Sequence, residues 1–349
     1  MLSLNEKLEK LSNVCGVTGS ETPVRELLTQ FIRPYVDEIN VDRLENVIAV
    51  KKGKPDRPKI MLAAHMDEIG LLVKTITKEG FLRFSKIGGI DDRILPAQKV
   101  TVHTKNGGVY FGIIGSKPPH IQKEEDRRKI LAFNDLFIDV GAESKEAAMQ
   151  MGISVGDPIA FDTKYVALNK NLVMGKAFDN RAGCLVMVET LKLLDETDCT
   201  VCAVGTVQEE VGLRGAGTAA FGVDPDVALA LDVTVAGDVI GVREYDTSVK
   251  TGKGPALTIS DSGLITHPKI LRWLIDAAEN EKIAVQLESG LMGSTDAARI
   301  SLTRQGIPSG TISIPTRYIH SPAAVLNLQD IESSAKLAAA AIKRISKHF

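Results

Sequence analysis

The stretch that most limits what this chain can become is Val201–Gly212, VCAVGTVQEEVG. Val201 to Val207 is a short apolar, β-branched run and reads as a buried strand of a parallel sheet, covered on both faces. Where the run stops, Glu209 and Glu210 stand side by side. In open α/β sheets ligands bind outside the carboxyl ends of the strands. Adjacent side chains there point in different directions, so such a pair can divide its work, one carboxylate holding a metal while the other moves protons. Taken alone, the same two residues read more readily as solvated acids that begin a loop, and it is the rest of the chain that reverses this.

The totals narrow the field. A chain of 349 residues is long enough for about two domains. Apolar residues make up 44% and charged residues 25%, the balance of an ordinary globular protein. The formal net charge of −2 supplies no basic field for nucleic acid or an anionic membrane. No apolar run approaches the roughly 20 residues that cross a bilayer. The opening Met1-Leu-Ser-Leu-Asn-Glu lacks the basic start and apolar core of a signal peptide. The expectation is a cytoplasmic protein. Cys15, Cys184, Cys199 and Cys202 fit that compartment as free thiols. Cys199 and Cys202 have CxxC spacing, but three residues along a strand puts them on opposite faces, so they are read as core packing.

Along the chain, Leu4, Leu8 and Leu11 mark an opening helix. Thr22 is placed as the cap of a second helix with Pro23 at its first position. Strands are expected at Asn46–Val50 and Lys59–Ala64. From about Ile69 the texture changes to short strands, Leu71–Thr77, Phe81–Ile87, Lys99–Thr104, Gly108–Ile114, Phe137–Val140 and Asp157–Phe161, separated by glycine-rich turns. One short helix is expected among them, near Ser144–Met151. Such a run of strands inside an α/β chain reads as an inserted small β-barrel or sandwich. Pro118–Arg128, PPHIQKEEDRR, is read as a mobile loop because it has dense charge and few apolar anchors. The α/β texture then returns. Helices are expected at Arg181–Leu194, Pro268–Asn280, Thr295–Gln305 and Asp330–Lys347, with strands at Val227–Leu231 and Gly310–Ile314. The boundaries are placed at residues 1–68 for the first part of the catalytic domain, 69–162 for the inserted barrel, and 163–349 for the second part.

The chemistry gathers just beyond the buried strands. His65 and Asp67 come after Ile60–Ala64, Glu209 and Glu210 after Val201–Val207, and Asp232 after Val227–Leu231. His320 comes after Gly310–Ile314 across a short loop, and Asp179 precedes the helix at Arg181. If these strands are parallel, their carboxyl ends share one edge, and two histidines and several carboxylates converge. Imidazole and carboxylate are ligands for zinc, cobalt or manganese, and a set without cysteine argues against a closed structural zinc site. Five ligands exceed what one open tetrahedral metal needs. They suit two metals about 3.5–4 Å apart that share a carboxylate and a water. In His65-x-Asp67 both side chains share a strand face, so Asp67 could accept the second imidazole N–H and fix the tautomer. His103, His120, His267 and His348 are read as structural or solvated. The clusters Gly212–Gly217 and Gly290–Gly293 lack a Walker lysine or a Rossmann spacing and are read as turns.

Several stretches carry a more specific likeness: AAHMDEIG at Ala63–Gly70, GKAFDNRAGC at Gly175–Cys184, VQEEVGLRGA at Val207–Ala216, ALDVT at Ala230–Thr234, GSTDA at Gly293–Ala297 and PTRYIHS at Pro315–Ser321. Together they resemble the tetrahedral (TET) aminopeptidase family, self-compartmentalising di-metal exopeptidases, over essentially the whole chain. The resemblance implies an α/β fold with a phosphorylase/hydrolase-like mixed-sheet catalytic core and an inserted PDZ-like β-barrel used in dimer formation. It implies two divalent metal ions per subunit, zinc or cobalt. Asp179 would bridge them, with His65 and Asp232 completing one site and Glu210 and His320 the other. Glu209 matches the general acid/base and Asp67 the residue that orients His65. The family further implies short peptide substrates and a homo-oligomer, a dodecamer of tetrahedral outline built from six dimers with active sites facing an interior chamber. Pro118–Arg128 would then either reach toward a neighbouring subunit's chamber or remain a solvated loop.

Three other readings are weighed. A di-metal carboxypeptidase or small-molecule deacylase could use a similar ligand set, but the AFDNR context and the position of the insertion favour the aminopeptidase. Some relatives have been labelled endoglucanases, yet glycosidases use a carboxylate pair across a sugar cleft without metal. The 5% aromatic content also offers little stacking surface. A metal-free assembly scaffold would have no use for the intact ligand set. The sequence does not choose the preferred N-terminal residue.

Overall fold

The computed structural model describes residues 2–127, 129–290 and 292–349. The chain opens with α1 (Leu4–Asn13), closed at its start by a capping box between Ser3 and Glu6. In α2 (Thr22–Ile32) the flanking residue is Glu21, which makes no side-chain cap; Thr22 already lies in the first turn, with Pro23 beside it. Three strands come next, β1 (Glu38–Val41), β2 (Val47–Lys51) and β3 (Lys59–His65).

The strand-rich stretch comprises β4 (Gly70–Ile76), β5 (Leu82–Ile87), β6 (Lys99–His103) and β7 (Val109–Gly115), then α3 (Glu124–Arg127), β8 (Phe137–Asp139), α4 (Lys145–Gln150) and β9 (Pro158–Phe161). Its strands close into a barrel in the order β4-β5-β8-β7-β6-β9. Inward-facing residues such as Leu71, Phe84, Val100, Ile138 and Ile159 form a hydrophobic core separate from that of the main sheet. The segment expected as a loop at Pro118–Arg128 holds a 3₁₀ turn at Pro119–Ile121 and α3, while Arg128 lies outside the described residues.

The second part supplies β10 (Val166–Ala167), β11 (Leu172–Gly175), α5 (Phe178–Lys192), β12 (Thr200–Thr206), α6 (Arg214–Val223) and β13 (Val227–Val235). It ends with β14 (Ala256–Ser260), α7 (Pro268–Glu281), β15 (Gln286–Ser289), α8 (Asp296–Ser301), β16 (Ser309–Arg317), β17 (Ala324–Asn327) and α9 (Leu328–Lys343). Among the described residues the core is an eleven-stranded mixed sheet whose main path is β1-β2-β12-β3-β13-β16-β17-β11-β10; β14 pairs with β16, and β15 with β14. β12, β3, β13 and β16 are mutually parallel, the arrangement that the apolar runs predict. β2 pairs antiparallel with β12.

Strand alternation assigns the two faces. Ile60 and Leu62 join the core shared with α5, α7 and α9, whereas Met61 and Ala63 join the core beneath α6 and α8. The same parity separates Cys199 and Val201 from Cys202 and Val204, so the CxxC spacing serves packing on opposite faces. All four cysteines are free. Gly183 is required where α5 crosses β13, because a Cβ there would lie 2.1 Å from the Leu231 carbonyl oxygen. Among the described residues no helix is long and apolar enough to cross a membrane.

Candidate active site

The parallel strands bring their carboxyl ends to one edge, and six of the seven nominated side chains face a single cavity there: His65, Asp179, Glu209, Glu210, Asp232 and His320. Asp67, fully buried, lies behind them. Several details differ from the sequence reading: β3 runs through His65, and β16 continues to Arg317. β13 does not end at Leu231 but continues to Val235, so Asp232 sits within the strand, paired in register with Ser313 of β16. The apparent helix start at Phe178 is also irregular. Asp179 (φ −80°, ψ 104°) and Asn180 (φ −123°, ψ 43°) are non-helical, and regular helix begins at Arg181, as the pattern predicts.

Each side chain has a positional cause. His65 ends β3; its Nε2 lies 3.1 Å from Asp179 Oδ1, 3.8 Å from Asp232 Oδ1 and 3.9 Å from Glu209 Oε2. Its Nδ1 faces Asp67, nearer the backbone carbonyl (3.2 Å) than the carboxylate (3.4 Å). The Asp67 carboxylate is held instead by the backbone N–H groups of Glu209 (3.0 Å) and Glu210 (3.2 Å) and by the Thr18 hydroxyl (2.8 Å). Asp67 therefore fixes the turn that presents both glutamates as well as one face of His65. His320 sits at φ 56° in the loop after β16, a left-handed conformation that costs a non-glycine residue about 1–2 kcal/mol. Its Nδ1 donates to the Gly89 carbonyl oxygen at 3.0 Å, which leaves Nε2 directed at Asp179 Oδ2, 3.5 Å away.

Among the described residues, two sets of three have ligand atoms that all lie within 4.8 Å of one another: His65, Asp179 and Asp232, and Asp179, Glu210 and His320. Asp179 belongs to both. The electrostatics make this an unfavourable place for so many bare carboxylates. Burial raises Glu209, Glu210 and Asp232 well above the ordinary carboxylate range, and the neighbouring acids add to the rise. Burial alone would lower His65, but Glu209, Asp179, Asp67 and Asp232 lift it well above its usual value. Asp179 is the exception. Burial raises it, yet His65 and His320 on either side hold it low. An oxygen- and nitrogen-donor set carrying this much negative charge fits divalent cations, which would relieve the repulsion.

The sequence did not disclose several supporting groups. Asp296 is buried beside the cluster, accepts from the Thr206 hydroxyl, leaves its Oδ1 unpartnered, and is pushed by burial to about 6. Behind the cluster, Glu68 takes both oxygens to Lys176 Nζ at 2.7 Å and meets the buried Arg181 guanidinium at 3.3 Å. The inserted barrel reaches the site through Gly88 and Gly89, where a Cβ on Gly88 would come within 3.1 Å of Glu210 Oε2. Both glycines belong to the stretch read only as a turn signal, and their contact with Glu210 and His320 is set by tertiary approach.

Comparison with known proteins agrees over nearly the full chain. Residues 45–337 match the M42 glutamyl aminopeptidase family. The lysyl aminopeptidase of Pyrococcus furiosus is 35% identical, the match covering 97% of each chain. An aminopeptidase from the archaeon Desulfurococcus kamchatkensis superposes with a TM-score of 0.94 at 45% identity, covering 98% of this chain and 94% of that one. The Pyrococcus horikoshii TET1 peptidase, which can assemble into a tetrahedron or a large octahedral shell, gives a TM-score of 0.87 at 35% identity, covering 97% and 99% of the two chains.

Proposed function

Because the chain belongs to the M42 glutamyl aminopeptidase family, we propose that it is a di-metal aminopeptidase that removes N-terminal residues from short peptides within a closed homo-oligomer. The observation that carries this reading is the pair of overlapping three-residue clusters sharing Asp179. In it, His65, Asp179 and Asp232 would hold one divalent ion, and Asp179, Glu210 and His320 a second, zinc or cobalt. Metal bound there supplies Lewis acidity toward the scissile carbonyl and lowers the pKa of a bound water.

The remaining chemistry falls to the chain. Glu209 belongs to neither ligand set, yet its Oε2 stands 3.9 Å from His65 Nε2 in the same cavity. Its carboxylate is the group free to take a proton from the attacking water and return it to the departing amine. Asp67, through the Glu209 and Glu210 amides and His65 Nδ1, orients all three side chains. The inserted unit, which we set at residues 69–162, provides the surface for subunit pairing. Free cysteines support a reducing compartment, and we place the protein in the cytoplasm.

The test is direct. A chelator should abolish release of free amino acids from peptides, and added zinc or cobalt should restore it. Undiminished activity in a rigorously metal-free preparation would remove the metal reading, and equal cleavage of N-acetylated peptides would remove the aminopeptidase reading.

A further inference from the structure

On the face of the sheet covered by α6 and α8, the two helices leave between them a second cavity of about 450 Å³, which shares no lining residue with the catalytic one. Among the described residues three arginines line it, Arg214 on α6, Arg299 on α8 and Arg304 just beyond α8, and no carboxylate does. The three are unequally engaged. Arg304 Nε meets Asp224 Oδ1 at 3.1 Å and donates to the Phe221 carbonyl oxygen at 2.9 Å, and the guanidinium stacks on the Phe221 ring, 4.1 Å from its centroid. Arg214 has only the neutral amide oxygen of Gln208, at 3.3 Å. Arg299 has no hydrogen-bond or ion-pair partner among the described residues. Its stem crosses α6 at Gly217, where a Cβ would lie 3.0 Å from Arg299 Nε and 3.1 Å from its Cγ. Arg214, Gly217 and Phe221 share one face of α6, so the Arg299 stem passes one turn from Arg214 and one turn from the ring. The Thr218 and Thr303 hydroxyls in the same wall give their protons to the carbonyl oxygens of Gly215 and Arg299. The side-chain protons left for a ligand are therefore those of Arg214 and Arg299. Phe221 and Leu302, 59% and 76% exposed, form apolar shoulders beside them.

We infer that this cavity is a binding site for a small oxyanion, a phosphate or a carboxylate, carried on an apolar body. Guanidinium groups offer forked N–H donors that match the oxygens of either anion. Arg214 and Arg299 bring such forks to one cavity from two neighbouring helices, and neither has a counter-charge to give up. The chain as a whole is slightly acidic, with a net charge of −2, so a wall with two uncompensated cations and no acid is a local concentration that an anion relieves. Arg304 has a different part. Paired with Asp224 and stacked on Phe221, it steadies the ring as a platform for the apolar portion of the ligand. A cationic ligand would be repelled here, and a neutral one would leave both free guanidinium groups unanswered. The two cavities are joined through the same helices: Leu213, next to Arg214, lines the catalytic cavity, as does Thr295 at the head of α8. An oxyanion held by Arg214 and Arg299 thus ties together two elements that both begin at the catalytic rim. The inference does not depend on the aminopeptidase reading, and each can fail without the other.

The experiment titrates phenyl phosphate, phenylacetate, inorganic phosphate and, as the neutral counterpart, benzyl alcohol into the intact, metal-loaded protein by calorimetry at constant ionic strength. At least one of the two aryl anions should bind with a Kd of about 1 mM or tighter, and the tighter of them identifies the oxyanion. Benzyl alcohol should not bind. Because phosphate and carboxylate can also reach metal in the catalytic cavity, the place of binding is read from variants. Arg299→Gln and Arg214→Gln should each weaken the event about tenfold or more, the scale of one charge-assisted hydrogen bond. Arg299→Gln should leave the ligand-free melting temperature unchanged, since that guanidinium has no partner to lose. Binding that persists undiminished in both variants belongs to the metal centre and overturns the inference. Absence of binding by either aryl anion overturns it even if the variants fail to fold, and so does benzyl alcohol binding as tightly as the anions. Inorganic phosphate should bind more weakly than phenyl phosphate, and equal affinity would overturn the part given to Phe221 and Leu302.

Discussion

Glu209 and Glu210 are neighbours in the chain and occupy different electrostatic settings. Glu209 faces His65, Asp232 and Asp296, whereas Glu210 faces Asp179, Asp67 and, 3.9 Å away, His320 Nδ1. Their backbone amides share one acceptor, Asp67. The proposed division of labour predicts different failures. Glu209→Gln should retain metal and lose turnover by about 10²–10⁴-fold, since an amide cannot carry the proton. Glu210→Gln should instead lower occupancy of one metal, read by elemental analysis of the purified protein; the opposite pattern would exchange the two roles. Glu209 and Glu210 were legible because they come just after a buried strand, β12. Asp232 was legible for a partly mistaken reason: β13 runs through it, and its alternation with Thr234, not a strand end, aims it into the cavity. Thr18 and Asp296 were not legible. Each gains its meaning from a contact across more than 25 positions of sequence, with Asp67 and Thr206 respectively.

Among the elements, α5 shows how a catalytic loop is held by a network the sequence does not announce. Arg181 is fully buried, and its guanidinium donates to the carbonyl oxygens of Met66, Leu11 and Val14. Glu68 joins it to Lys176, just ahead of Asp179, and also accepts from the Gly16 amide at 2.9 Å. Burial lowers the Lys176 pKa, opposed by the Glu68 charge. Removing that charge leaves two buried cations without the carboxylate they share. Glu68→Gln should therefore lose about 3–5 kcal/mol of stability, seen as a lower urea midpoint with unchanged slope at fixed protein concentration. A midpoint equal to that of the unmutated protein would sink this account. The parallel strands and long amphipathic helices were readable from periodicity. α6 was not, because RGAGTAAFGV carries three glycines and reads as turns; its small residues instead let it pack against β12 and α8. β14, β15 and β17 escaped for a different reason. They are short, and their pairing with β16 or with one another is decided by position in the sheet rather than by composition.

For the molecule as a whole, the run of short strands between glycine-rich turns was enough to predict a small barrel, and the closed barrel has a core of its own. Its outer surface is less self-sufficient. Along β7, Val109, Phe111 and Ile113 are 51%, 69% and 47% exposed, an apolar row on one face of one strand. Contiguous apolar surface of this kind marks a place where another chain docks more often than a free surface. A barrel that serves only as a rigid spacer for the Gly89–His320 contact would not need it. The shell-forming Pyrococcus horikoshii relative supplies the scale of the assembly proposed here. Light scattering should therefore report a mass many times the 37.6 kDa of one chain, and twelve subunits is the expected number. Phe111→Lys combined with Ile113→Lys should yield smaller species without loss of the barrel fold, checked by circular dichroism, since both side chains point away from its core. In the intact assembly, short peptides should be degraded and folded proteins spared, because an interior chamber excludes by size. A stable monomer with full peptidase activity would defeat the assembly and leave the site chemistry standing, for the two nominated metal clusters are built entirely from one chain.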